Sequence, residues 1–137
     1  MGIFNVHKKK AFLGGTCNES KWRKELIDKL EISYFNPVVD NWNEEAQRRE
    51  EYEKQNCDIR IYCITPEMTG VFTVAEVVDD SNKIPEKTVL CLLRNYGGKE
   101  FDEGQWRSLM NVSRMVLSNG AKSCFDLDTL ASIVNNM

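Results

Sequence analysis

Histidine is nearly missing from the sequence, since its one copy, His7, precedes the first predicted strand. A Ser-His-Asp or Cys-His hydrolase site needs a histidine inside the fold as its general base, so no such site is predicted. No spacing of cysteine and histidine matches a zinc site either, and no metal ligand set is predicted. The sequence therefore argues against two common kinds of catalytic centre.

Paired cysteines are lacking as well. The five cysteines include no Cys-x-x-Cys motif, and an odd number does not predict a disulfide framework. Cys63 and Cys91 fall inside predicted buried strands, where a free thiol acts as a small hydrophobic group. Unpaired cysteines are typical of a reducing compartment, and we therefore expect a cytoplasmic protein.

Neither a basic stripe nor a long apolar run is present. The net charge is −3 at pH 7, whereas a binder of duplex nucleic acid would need a basic footprint. The apolar run after Lys8–Lys10 is only Ala11-Phe12-Leu13, which is far too short for a signal peptide or a membrane span. We expect neither duplex nucleic acid nor a membrane as a partner.

Strand and helix patterns alternate along the chain. With 137 residues, of which 42% are hydrophobic, the sequence predicts a single domain over residues 1–137, with a loose lead-in over residues 1–8. The predicted strands are Lys10–Gly14, Ile32–Phe35, Asp58–Thr65, Lys87–Leu93 and Lys122–Phe125. Helical spacing follows each strand, over Trp22–Leu30, Asn43–Gln55, Val71–Val78, residues 102–118 and Leu127–Val134. The segment Asn95–Lys99 is predicted to be a flexible loop.

This alternation predicts an α/β fold in which helices cover both faces of a five-stranded parallel sheet. The three-layer flavodoxin-like form, with strand order 2-1-3-4-5, fits the length of the chain. Ligands of such sheets bind at the carboxyl ends of the strands, next to the switch between strands 1 and 3. Three segments should meet there, namely Gly14–Asn18, Asn36–Trp42 and Thr65–Glu76.

The stretch 58–82 contains the residue on which the function depends, Glu76. Pro66 ends the strand, and the next helix is predicted to have its cap at Phe72 or Thr73, which places Glu76 near the helix start. The helix N-terminus favours an ionised carboxylate at this position. Such a group can attack an anomeric carbon while a second carboxyl protonates the departing base. The candidates for the second carboxyl are Asp58, Asp40, Asp79 and Asp80.

A purely structural interpretation competes with this chemistry at two motifs. Thr73-x-x-Glu76 fits a capping box, in which Glu76 only binds back to the backbone of Thr73. The turn Gly14-Gly15 offers backbone N–H groups to an anion, yet Thr16-x-x-Glu19 also fits a capping box. Both interpretations stay open at each motif.

The segment before the third strand is also open to more than one interpretation. The helix Asn43–Gln55 has few apolar residues, so it is expected to be solvated, or else to form a lid or a subunit contact. Trp42 precedes it and is assigned either to such a contact or to a base pocket.

Three motifs together resemble the nucleoside 2-deoxyribosyltransferase family. They are Phe12-Leu-Gly-Gly-Thr16 at the first strand, Asp58-Ile-Arg-Ile-Tyr-Cys-Ile-Thr-Pro66 at the third, and the glycine loop that leads to Glu76. The phrases FNPVVDNWNEE and TGVFTVAEVVDDSNK look like the small transferase-like branch of this family, found in bacteria and phages. The resemblance extends over residues 10–135.

The resemblance implies an enzyme that cleaves or transfers the N-glycosidic bond of a 2′-deoxynucleoside or its monophosphate. Glu76 would be the nucleophile, and Asp58 would assist protonation of the base. Gly14 and Gly15 would lie at the sugar and base, and the side chains suited to a phosphate would be Thr16, Asn18 and Ser20. No cofactor is implied. Because family enzymes borrow a site residue from a neighbouring subunit, a homo-oligomer is expected.

Gly70 departs from the family pattern, since typical members carry an aspartate at this position, and Val78 stands where glycine is frequent. Gly70 and Thr73 are still expected to line the substrate site. The missing aspartate keeps a second function open, that of a non-catalytic nucleotide-binding or interaction module on the same fold.

Overall fold

The structure, a computed structural model, describes residues 9–137, and the lead-in predicted over residues 1–8, with His7, lies outside the described residues. The described residues form the strands β1 (Lys10–Gly15), β2 (Ser33–Phe35), β3 (Ile59–Ile64), β4 (Thr88–Leu92), β5 (Asn95–Tyr96), β6 (Lys99–Glu100) and β7 (Lys122–Cys124). Their α-helices are α1 (Trp22–Ile27), α2 (Glu44–Asn56), α3 (Phe72–Lys83), α4 (Glu103–Ser118) and α5 (Leu127–Asn135), and a short 3-10 helix spans Pro85–Lys87.

Five of the strands form one parallel sheet in the order β2-β1-β3-β4-β7. Because β7 is the fifth strand of this sheet along the chain, the predicted order 2-1-3-4-5 is confirmed. The register pairs Leu13 with Ile61 and Gly15 with Cys63 at the centre of the sheet. The chain moves outward from β1 to β2 and then returns to the other side of β1 with β3, which creates the predicted switch point.

Helices cover both faces of the sheet, as predicted. On one face, α1 and α5 bury a core that includes Trp22, Leu26 and Leu130. On the other face, α3 and α4 pack Val77 and Leu109 against the sheet. The central strands β1, β3 and β4 are buried on both sides, because their residues point alternately to the two faces and helices cover each face.

Helix α2 differs from the other helices because it contains no buried residue. The side chain of Asn43 caps it by accepting a hydrogen bond of 2.8 Å from the backbone N–H of Ala46. The absence of buried residues agrees with the expectation of a solvated helix. No helix among residues 9–137 combines the length and apolar character needed to cross a bilayer.

The prediction of a flexible loop over Asn95–Lys99 is wrong. Strands β5 and β6 pair in an antiparallel hairpin, with Asn95 opposite Glu100 and Tyr96 opposite Lys99. Gly97 and Gly98 form its turn with φ angles of +61° and +77°. Two consecutive positive φ angles are what a tight hairpin turn requires, so the glycines order this segment.

We expect one fast-reacting thiol in the native protein. All five cysteines are free, but only Cys17 is exposed. The other thiols are buried, and burial raises the pKa of the Cys57 thiol, which lowers its reactivity further. Titration with a chromogenic disulfide should give one fast equivalent in the native state and all five in denaturant. Cys17→Ser should remove the fast phase, and a second fast native thiol would contradict the buried positions.

Candidate active site

A crevice of about 450 Å³ opens at the carboxyl ends of β1 and β3, beside the switch point. Residues from all three of the predicted segments line it, together with Glu50 of α2 and Arg23 of α1. The predicted site residues on its wall are Gly14, Gly15, Thr16, Asn18, Trp42, Gly70, Thr73 and Glu76. The convergence expected from the sheet topology is therefore present.

Gly15 brings the first loop of the crevice against β3. Its φ is +126°, and a Cβ atom there would lie 2.0 Å from the carbonyl oxygen of Cys63. Just beyond it, the Thr16 backbone N–H donates to the same carbonyl at 2.9 Å. The hydroxyl oxygen of Thr16 accepts from the backbone N–H of Thr65 at 3.0 Å. The loop thus follows the end of β3 closely, and glycine is required for that approach.

The capping box that Thr16 and Glu19 could have formed is absent. Helix α1 begins at Trp22, and its N-cap residue, Lys21, makes no side-chain capping bond. Thr16 instead remains tied to the sheet, and Glu19 has a positive φ of +61°. A box needs helical geometry immediately after its first residue, which this loop does not provide.

The polar side chains of the first loop bind the loop after β3. The Asn18 side-chain amide donates to the carbonyl oxygen of Glu67 at 2.9 Å and to the hydroxyl of Thr69 at 3.1 Å. The Ser20 hydroxyl donates to the Glu67 carboxylate. The family resemblance implied that these side chains bind a phosphate. In the structure they instead connect two loops, through Thr16, Asn18 and Ser20.

Arg23 supports the same loop from the side of α1, a role that no sequence pattern indicated. Its guanidinium donates to the carbonyl oxygens of Leu13 at 2.9 Å, Thr16 at 2.7 Å and Gly15 at 3.1 Å. Burial lowers the pKa of Arg23, because taking the cation out of water disfavours the charged form. The three carbonyl acceptors compensate the buried donors and fix the path of the loop.

Glu76 reaches the crevice wall from α3 and forms an ion pair with Lys54 of α2. The Lys54 Nζ atom lies 2.5 Å from the Glu76 Oε2 atom, and about a quarter of each side chain remains exposed (24% and 25%). Helix α3 begins at Phe72, so Glu76 is its fifth residue rather than its third or fourth. The positive charge nearest to the carboxylate is therefore a lysine side chain rather than the helix terminus.

The capping box that Thr73 and Glu76 could have formed is absent as well. Val71 occupies the N-cap position of α3, and no side chain caps this end of the helix. Because the helix begins before Thr73, the backbone geometry of that box is absent. Of the two interpretations of Glu76, the one that places its carboxylate in a crevice fits the structure.

Glu50 is a second carboxyl on the crevice wall, and sequence reasoning missed it. It lies four residues before Lys54, so both side chains point to one face of α2. Burial raises the pKa of Glu50, the charge of Glu76 raises it further, and Lys54 and Arg23 oppose the shift. The only sequence signal for Glu50 was its position four residues before Lys54. Exposed ion pairs on a helix surface have the same spacing, so this signal does not identify a site.

The raised pKa of Glu50 predicts that Glu50→Gln stabilises the protein only above the usual titration range of glutamate. The folded state holds the proton more tightly than the unfolded state, so this group's contribution is complete at low pH and is lost as pH rises through its raised pKa. The groups that set the balance are Glu76, Glu51, Lys54 and Arg23. Thermal unfolding should show a higher Tm for the variant at about pH 8 and a vanishing difference near pH 4. An equal or reversed difference at both pH values would contradict the assignment.

Asp58 does not lie in the crevice, which corrects its predicted pairing with Glu76. It precedes β3, and its Oδ2 atom accepts a hydrogen bond of 2.9 Å from the backbone N–H of Lys10. Lys10 is the first residue of β1. Both positions belong to the amino end of the sheet, whereas Glu76 lies near the carboxyl end. A residue immediately before a parallel strand is carried to the edge opposite the ligand site.

The other candidate aspartates are also absent from the crevice wall. Asp40 is exposed in the connector before α2. Asp79 is exposed and pairs with Lys83 at 2.9 Å. Asp80 is buried, pairs with Arg60 at 3.0 Å and accepts a hydrogen bond from the Tyr62 hydroxyl. Asp79 thus faces solvent and Asp80 lies in the core, whereas Glu76 lines the crevice.

We expect Asp80→Ala to lower the free energy of unfolding by about 2–4 kcal/mol, because it leaves the Arg60 guanidinium half-buried without its anion. Urea unfolding monitored by circular dichroism measures the loss. Asp79→Ala is the matched control, since its pair with Lys83 is exposed and should contribute less than about 0.5 kcal/mol. Similar losses for the two variants would contradict a structural role for the buried pair.

Two exposed aromatic side chains flank the mouth of the crevice. Trp42 is 58% exposed and Phe72 is 73% exposed, and both contribute to the wall. Trp42 was predicted here, while Phe72 was considered only as a possible helix cap. Large flat side chains that remain open to solvent suit a planar aromatic ligand.

Gly70 leaves part of the crevice open. No atom lies within 4 Å of the position that a Cβ atom would occupy there, so a larger side chain would fit. Among residues 9–137, no three His, Cys, Asp or Glu side chains are grouped closely enough to hold a metal ion. The charged side chains on the wall are those of Glu50, Glu76 and Arg23, with Lys54 paired to Glu76.

Comparison with known proteins identified one family. A family model described as "Nucleoside 2-deoxyribosyltransferase like" matches residues 8–96, well over half of the chain. The matched part runs from the first strand through β5 and contains every segment of the crevice. No curated protein and no solved structure gave a significant match. On the strength of the family match, the chain belongs to the nucleoside 2-deoxyribosyltransferase-like family.

Proposed function

We propose that the protein cleaves or transfers the N-glycosidic bond of a 2′-deoxynucleoside, with Glu76 as the nucleophile. The observation that carries this proposal is the position of the Glu76 carboxylate. It lies on the wall of a crevice at the switch point, beside the loop that Gly15 holds against β3, in a chain of this family. Membership in the family supports the substrate class, and the position of the carboxylate supports Glu76 as the nucleophile.

The chemistry requires two displacements at the anomeric carbon. A Glu76 oxygen attacks C1′, the C1′–N bond breaks, and its electron pair leaves with the base, which gains a proton. Water or a second base then attacks C1′ of the glutamyl-deoxyribosyl ester and releases Glu76 as a carboxylate. Two inversions at one carbon retain the configuration of the sugar. The Lys54 ammonium stabilises the Glu76 charge before and after this cycle.

The crevice favours a nucleoside over its monophosphate. A phosphate would need donors or cations, but the side chains of Thr16, Asn18 and Ser20 are bonded to the loop after β3. Lys54 is paired with Glu76, and the carboxyl of Glu50 would oppose an added anion. Trp42 and Phe72 at the mouth provide apolar surfaces for the base.

Gly70 supports a second candidate, a nucleotide-binding or interaction module without turnover. The open space at this position leaves the sugar without the carboxylate that typical family members place there. On this alternative, the crevice binds a nucleoside but the C1′–N bond stays intact.

A substrate panel tests the proposal. Purified protein is incubated with the four common deoxynucleosides and their monophosphates, with and without a second free base, and chromatography follows released and exchanged base. Turnover of a nucleoside, faster than that of its monophosphate, is the expected result. Saturable binding of a nucleoside with no base release would favour the binding module and overturn the enzymatic proposal.

A further inference from the structure

The ion pair between Lys54 and Glu76 lies at the carboxylate that the proposed reaction uses twice. We propose that Lys54 accelerates the second step, in which Glu76 leaves the sugar as a carboxylate, and thereby keeps the covalent intermediate short-lived. This inference rests on the proposed function, because it concerns the ester that Glu76 forms.

The charge of Glu76 changes in opposite directions in the two steps. In the first step the carboxylate becomes a neutral ester, so a bonded ammonium stabilises the starting state more than the transition state. In the second step the ester becomes a carboxylate again, so the same ammonium stabilises the charge that develops. Only an interaction that is stronger in the transition state than in the starting state increases a rate. The contact of 2.5 Å between the Lys54 Nζ atom and the Glu76 Oε2 atom therefore assists the second step rather than the first.

The surroundings of Lys54 keep its ammonium at the site while the ester exists. Its Nζ atom lies 5.6 Å from the centroid of the Tyr62 ring, within the range of a cation–π interaction. The Tyr62 side chain is buried, and its hydroxyl donates to Asp80, which fixes the ring. The Lys54 carbonyl oxygen accepts from the Arg60 Nε atom at 3.0 Å, which holds the backbone at this point of α2. The ammonium thus stays beside Glu76 after the negative charge of the carboxylate has been lost to the ester.

The atoms and electrons of the second step balance. Water or a free base attacks C1′, the C1′–O bond of the ester breaks, and its electron pair returns to Glu76. The proton of the attacking group is released to solvent. Glu76 then pairs again with Lys54, whose own protonation does not change during the step. Lys54 therefore acts through its charge and its hydrogen bond, without transferring a proton.

The test measures the two steps separately in single-turnover experiments, with the deoxynucleoside that the panel turns over best. Samples are quenched in acid at successive times. Chromatography follows the released base, and mass spectrometry of the intact protein follows the gain and loss of the deoxyribosyl group. For Lys54→Met, loss of this group should slow by at least about 10-fold, because the departing carboxylate no longer meets a cation. Base release should stay within about threefold of the wild-type rate.

Three further variants separate charge from structure. Lys54→Gln is neutral but polar, and it should slow the second step as Lys54→Met does. Lys54→Arg keeps a cation at this position and should restore the second step to within about fivefold of wild type. Glu53→Gln is the matched control on the same helix, since it removes the ion pair with Lys10, 2.6 Å long, that also attaches α2 to the sheet. It should leave both steps unchanged.

The outcomes distinguish the role of Lys54 from the proposed function. Equal slowing of both steps by Lys54→Met, or an unchanged second step, would overturn the role of Lys54 alone. A loss as large in Glu53→Gln would do the same, since attachment of α2 would then explain the effect. A wild-type protein that releases no base and gains no deoxyribosyl group would overturn the proposed function, and this inference with it.

Discussion

Glu76→Gln should reduce base release by at least about 1,000-fold, because a neutral amide cannot form the glycosyl ester. The replacement has nearly the same shape, so the crevice should stay intact. Its cost to stability should be below about 1 kcal/mol, since the ion pair with Lys54 is partly exposed. Single-turnover chromatography measures the rate, and denaturant unfolding measures the stability.

Mass spectrometry of acid-quenched samples provides a direct check of the same prediction. Wild-type protein stopped during turnover should carry one deoxyribosyl group, and fragmentation should locate it on the peptide that contains Glu76. The Glu76→Gln protein should carry none. A variant that keeps activity within about tenfold of wild type would show that Glu76 is not the nucleophile.

Gly15→Ala should destabilise the fold by on the order of 3–5 kcal/mol. The new Cβ atom would lie 2.0 Å from the Cys63 carbonyl oxygen, and the residue would have to keep a φ of +126°. The Cys63 backbone cannot shift easily, because it belongs to the central strand β3. The loop would have to move away from β3 and lose the bond from the Thr16 N–H to Cys63.

Gly70→Ala is the matched control for this substitution. It adds the same methyl group to the same crevice, but no atom lies within 4 Å of its Cβ position. Its effect on the free energy of unfolding should be within about 0.5 kcal/mol. Urea denaturation compares the two proteins with wild type, and equal stabilities for both variants would contradict the close approach at Gly15.

The fold was predictable because its signals are local and repeated. The apolar run Ile59–Ile64 identified a strand buried on both faces, and the alternation of strands and helices then left few topologies. The hairpin around Gly97 and Gly98 was missed because glycine pairs indicate either a loose loop or a tight turn. The glycine pair alone does not indicate whether the segment forms a loose loop or a tight hairpin turn, because packing against the rest of the fold decides between them.

The candidate site was predictable only in part, for reasons of geometry. The sheet topology correctly brought Gly15 and Glu76 to one crevice. The assignment of Asp58 failed because Asp58 precedes β3, whereas the crevice residues lie at the carboxyl end of that strand. The whole length of β3 separates the two positions. Glu50 and Lys54 were missed because their helix has the charge pattern of a solvated surface, and sequence cannot tell which charged face covers a crevice.

The contacts of α2 have a consequence for how the protein responds to stress. This helix buries no residue, and polar contacts attach it to the sheet and to α3, among them Lys10–Glu53 at 2.6 Å, Lys54–Glu76 at 2.5 Å and Arg60 to the Lys54 carbonyl at 3.0 Å. Such a segment opens with a smaller free energy than the apolar core. The proposed chemistry thus involves a helix that buries no residue, so the crevice can lose its charged wall while the sheet beneath it stays folded.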